Sequence, residues 1–150
     1  MKHRLIWLIA GLAVSILFVV FASQIFEFLY YEETFSNWMY EQGLYLQLAL
    51  FIVLISWGMA LIFYYGLSKL FVTFSRWYHW LIMLIVTLLL APGVSVYYLH
   101  GEYVEQSYDY WIQCQSIGNI SLALTALFFI IASFSMRWWS QNAAYTPIPQ

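Results

Sequence analysis

Four apolar stretches, at about 5–28, 44–65, 78–99 and 117–136, constrain this chain more than any other feature. Each is near the roughly 20 residues that carry a helix through a hydrocarbon core about 30 Å thick. Apolar and polar residues do not alternate within them, which argues against lipid-spanning β-strands. A helix is the solution in hydrocarbon because it satisfies each backbone hydrogen bond inside its own segment. The sequence therefore predicts an all-α membrane protein, a four-transmembrane-helix bundle. It is one domain over 1–139, followed by a polar tail, 140–150, expected to be flexible.

The charges give an orientation. In chain order they are Lys2 and Arg4; Glu27, Glu32, Glu33 and Glu41; Lys69 and Arg76; Glu102, Glu105 and Asp109; and Arg137. Their sign reverses across each apolar stretch. Basic residues mark the cytoplasmic side, so both termini and the 66–77 loop are expected inside, and the 29–43 and 100–116 loops outside. Small size and short loops suggest a bacterial inner membrane. Only 8% of residues are charged, against about 25% in a soluble domain. That excludes a water-soluble enzyme domain and leaves no basic patch for nucleic acid. One cysteine, Cys114, excludes an internal disulfide framework and a thiolate zinc cluster.

Two stretches carry a second reading. Lys2, His3 and Arg4 precede the first like a signal-peptide n-region, and Val20-Phe21-Ala22 resembles a cleavage site. The run from Leu5 to Ala22 exceeds the usual h-region of about 7–15 residues, which favours an uncleaved anchor. In the third, Pro92 and Gly93 follow Ala91. Proline removes one backbone hydrogen bond, so a kinked helix continuing to about Leu99 is expected, with a break and a reentrant piece as the alternative; a functional kink would serve as a hinge or a ligand notch.

Two connecting segments look amphipathic. Over 31–41, Tyr31, Phe35, Trp38 and Met39 share a face opposite Glu32, Glu33, Ser36, Asn37 and Glu41. Over 67–77, Leu67, Leu70, Phe71, Phe74 and Trp77 form a stripe opposite Lys69, Thr73 and Arg76. Both are expected as short interfacial helices lying on the membrane. Aromatic residues gather near both boundaries, where amphipathic rings settle at headgroup depth. Trp38, Tyr40, Glu102, Glu105, Asp109, Tyr110 and Trp111 would form an anionic, aromatic outer interaction face.

The polar residues inside or near the spans are few: Gln24, Glu27, Gln47 and Asn119. Gln24 and Gln47 lie near one level and suit a bond between the first two helices. Asn119 reads as a helix-start residue. On a helix Glu102, Glu105 and Asp109 would share one face. His79 and His100 bracket the third stretch, about 30 Å apart, too far to hold one metal or haem. No cofactor, metal site or catalytic constellation is expected. Gly11, Ser15, Ser56, Gly58, Ala60, Ser121 and Thr125 thin the helices for close packing.

The function expected is that of a non-catalytic accessory or structural subunit of a larger membrane complex. Its partners would be the lipid bilayer and other membrane proteins or further copies of itself. An immunity or exclusion protein, acting against a pore-forming toxin or foreign secretion machine, is an alternative. So is a small channel or carrier lined by Gln24, Glu27, Gln47 and the Pro92 kink.

Overall fold

The computed structural model describes residues 2–66 and 76–139. The expected inner interfacial helix at 67–77 and the tail at 140–150 fall outside them, except for Arg76 and Trp77. Among the described residues the chain is all helical. Four segments are long and apolar enough to cross a membrane: Lys2–Val20, Leu44–Gly66, Trp77–Glu105 and Trp111–Met136. The chain is a multi-pass membrane bundle.

The first rod is α1 (Lys2–Val20) continued by α2 (Ala22–Leu29), with a bend at Phe21. Hydrogen bonding bridges the bend, because Phe21 N–H reaches Leu17 O at 2.9 Å and Ile25 N–H reaches Phe21 O at 3.0 Å. Next comes α3 (Glu33–Glu41), and α4 (Leu44–Leu61) follows it directly. Gly43 makes that reversal in the left-handed region at φ 66°, where a side chain would be strained. The last turn of α4 widens into a π-helix, Ile62–Gly66, which leaves both Phe63 and Tyr64 buried.

Helix α5 (Trp77–Glu105) passes through Pro92 without interruption. It begins where expected but continues past Leu99 to Glu105. There Ser107 enters the left-handed region at φ 61°, and Tyr108 N–H closes on Tyr103 O at 2.9 Å. Helix α6 (Trp111–Met136) starts six residues before the expected 117 and ends in a 3₁₀ turn, Arg137–Trp139. Gln113, Gln115 and Ser116 disguise that first turn and a half as loop. The structural signal is the buried stripe of Cys114, Ile117, Ser121, Thr125 and Phe128, which keeps helical spacing from α6's first turn onward.

Consecutive spans run antiparallel, and α6 touches α1, α4 and α5. Helix α1 is the least buried span. The core divides into two clusters. One gathers Phe26, Phe35, Met39, Leu48, Leu99 and Ile117, at the end that carries Glu27, Glu32, Glu33, Glu41, Glu102, Glu105 and Asp109. The other gathers Phe63, Tyr64, Trp80, Phe129 and Met136, at the end that carries Lys2, Arg4, Arg76 and Arg137. The two sets of charge therefore occupy opposite ends of the bundle.

Candidate functional site

Helix α3, Glu33–Glu41, falls within the expected 31–41 but starts two residues later, and its apolar face is turned inward. Phe35 and Met39 are fully buried and Trp38 nearly so. The stripe that suits lipid packs on the bundle's own core, and only Tyr31, before the helix, stays exposed. The physical reason is the short Gly43 turn, which folds α3 back over the ends of the long helices. The Trp38 indole N–H donates to Gln106 Oε1 at 2.7 Å, and Gln113 Nε2 donates to Glu32 Oε2 at 3.3 Å. The first bond ties α3 to the turn after α5, and the second ties the residue before α3 to the first turn of α6.

Around them stands an aromatic cap. Phe35 meets Tyr110 edge-on at 5.2 Å, and Trp38 lies 5.3 Å from Tyr110. Tyr108 stacks on Tyr110 at 5.2 Å, and Tyr103 approaches it at 6.3 Å. Such pairs add about 0.5–1.5 kcal/mol each beyond area burial. Burial holds the Tyr110 phenol above its ordinary pKa, with Tyr108 and the Glu32 carboxylate adding to the shift.

Trp38 and Tyr110 are thus parts of this cap and are not themselves offered to a partner. Tyr40, Glu105, Asp109 and Trp111 are exposed, and Glu102 is half-buried. The cap turns these residues into a fixed surface. Asp109 does not share a helix face with Glu102 and Glu105, because α5 ends at Glu105 and the Ser107 turn intervenes. Among the described residues no three His, Cys, Asp or Glu side chains gather to hold a metal ion.

The polar candidates separate. Gln24 accepts a hydrogen bond from its neighbour Ser23 at 2.9 Å, while Gln47 lies exposed on α4. The expected bond between them is not formed, because the core faces here belong to Ala22 and Phe26 on α2 and to Leu48 and Ala49 on α4. Glu27 is half-buried, and Pro92 is buried with Gly93 exposed beside it. Asn119 is exposed inside α6 and starts no helix.

Packing uses most of the expected small residues. A β-carbon built on Gly11 would collide with Ser135 Oγ, and Trp57 Cη2 lies 3.3 Å from the same point. Ser15 Oγ donates to Gly11 O at 2.9 Å and accepts from the Trp57 indole at 2.9 Å. Gly11, Ser15, Trp57 and Ser135 thus form a junction of α1, α4 and α6. Ser56 Oγ reaches Thr125 O at 3.5 Å, and Thr125 Oγ1 bonds Ser121 O at 2.6 Å. Ala60 and Ser121 are fully buried. Gly58 differs: no atom lies within 4 Å of a β-carbon built there. It thins α4 toward an open crevice and makes no close helix contact.

Sequence reasoning singles out none of Trp57, Gln106 and Ser135. Trp80, one of the aromatic residues near the basic end, is buried, and its indole donates to Ser133 Oγ at 3.1 Å. The usable signal was position. An indole N–H carried into hydrocarbon needs an acceptor, and serines recur on the helices that supply it. No family model matches this chain, and neither a curated protein nor a solved structure matches it.

Proposed function

We propose that this protein is a non-catalytic inner-membrane subunit that binds another membrane protein through the acidic, aromatic surface over its cap. The supporting observation is the latched end of the bundle. Trp38 bonds Gln106 across two elements, and the buried ring cluster beneath holds Tyr40, Glu105, Asp109 and Trp111 outward. A preformed surface loses little entropy when it binds, and tyrosine and tryptophan are favoured at interfaces. By the rule that cations stay in the cytoplasm, this surface faces outward and both termini lie inside.

The test places a photo-crosslinking amino acid at Tyr40, Asp109 or Trp111 in living cells. Leu54 and Ile85, exposed on the flanks of the bundle, are the controls. One protein adduct common to the three cap positions and absent from the two controls is expected. Adducts equally strong at all five positions, or none at the cap, refute the assignment.

A further inference from the structure

A crevice of about 540 Å³ runs between α1 and α4. Leu12, Ile16 and Val20 form one wall, Val53 and Leu61 the other, and Gly58 opens the floor. Ser15 is the one hydroxyl along it, and that hydroxyl is already engaged with Gly11 and Trp57. The walls therefore ask for nothing but hydrocarbon.

Shared residues Val19 and Val20 carry the crevice into a second cavity of about 250 Å³ toward the acidic end. Here the lining turns polar, with Ser23, Tyr40 and the Gly43 backbone. Glu41 follows Tyr40, and every charge described at this end is acidic.

The main crevice follows α4 from Leu50 to Leu61, about 17 Å at 1.5 Å per residue. It is apolar along that length and turns polar only toward the acidic end, the order in which a lipid presents its acyl chain and its headgroup.

We propose that this crevice is a lipid site. It takes one acyl chain of a zwitterionic, ammonium-headed phospholipid, with the headgroup beside Ser23 and Tyr40. The acidic charge of this end of the bundle favours the ammonium and repels a headgroup of net negative charge. The site shares Tyr40 with the cap surface, but Gly58, where it is tested, lies on the crevice and away from that surface.

The experiment adds phosphatidylethanolamine or phosphatidylglycerol with brominated acyl chains to the full chain in mild detergent. Retained lipid is counted by native mass spectrometry, and bromine quenching of tryptophan is recorded alongside. One phosphatidylethanolamine per chain is expected, about five-fold favoured over phosphatidylglycerol, the ratio that about 1 kcal/mol of one charge contact gives. Quenching is expected because Trp57 lines the crevice. Gly58→Leu fills the floor and should abolish both signals, while the smaller Gly58→Ala reduces them with the fold intact. Retention unchanged in both variants, preference for phosphatidylglycerol, or a dimer mass that Gly58→Leu converts to monomer would each overturn the proposal.

Discussion

Replacing Gly11 by alanine tests how α1 is held. The new methyl group would collide with Ser135 Oγ and stand 3.1 Å from Ser135 Cβ and 3.3 Å from Trp57 Cη2. Ser135 cannot simply rotate away, because its Oγ is bonded to Ile131 O at 2.8 Å and its Cβ is fixed to the α6 backbone. Overpacking of this kind costs about 1–3 kcal/mol. Displacing α1 also weakens the Trp57–Ser15 bond, a class of contact worth about 0.6 kcal/mol in membranes. Against this, Gly→Ala inside a helix gains about 0.5–1 kcal/mol. The net expectation is a loss of about 1–2 kcal/mol, read by steric trapping or by denaturant unfolding in micelles. Ser135→Gly removes the colliding atoms, so the double variant should recover at least about 1 kcal/mol of coupling. Gly58→Ala is the internal comparison: it meets open space and should be neutral or stabilising. Equal stability of the Gly11 and Gly58 variants would refute the reading of the α1 junction, as would additivity in the double variant.

Trp38→Phe keeps the ring contacts and removes the 2.7 Å bond to Gln106. A loss of about 0.5–1.5 kcal/mol and faster proteolysis between Gln106 and Tyr110 are expected; unchanged cleavage refutes the latch. The raised pKa of Tyr110 means that the folded phenol holds its proton more tightly than the unfolded one. Its contribution is complete below the ordinary phenol pKa of about 10 and is lost as pH rises through the raised folded value. Tyr110→Phe should therefore flatten the alkaline decline in stability. Cys114 is fully buried, with its thiol 3.8 Å from Val96 O. Maleimide labelling should report the opening of α5 from α6, and rapid labelling of the folded protein would contradict that packing.

The spans were legible because a bilayer imposes one strong rule on composition and length. What the sequence hid was direction around each helix. Trp38 and Tyr110 look like surface aromatics, and their burial follows from a Gly43 turn that no hydropathy count describes. The first turn of α6 was missed because Gln113 and Ser116 are polar, although Cys114 and Ile117 already keep the buried spacing. Gly11 and Gly58 carry equal weight as letters. One is pressed against Ser135 and the other faces empty space, a difference set by neighbours far along the chain. Charge segregation among the described residues was visible in the sequence, since the sign of the charge reverses across each apolar run.

The hydroxyls inside the spans bear on how such a chain is made. Ser15, Thr87, Ser95, Thr125 and Ser135 each donate to a carbonyl four residues earlier in their own helix. None of these donors needs a neighbouring span to be satisfied. The first and third long rods can therefore enter the lipid with these hydroxyls already satisfied, whereas Ser56 on α4 finds its acceptor, Thr125 O, only once α6 lies beside it. Lateral assembly then adds the tryptophan contacts as a separate, later event.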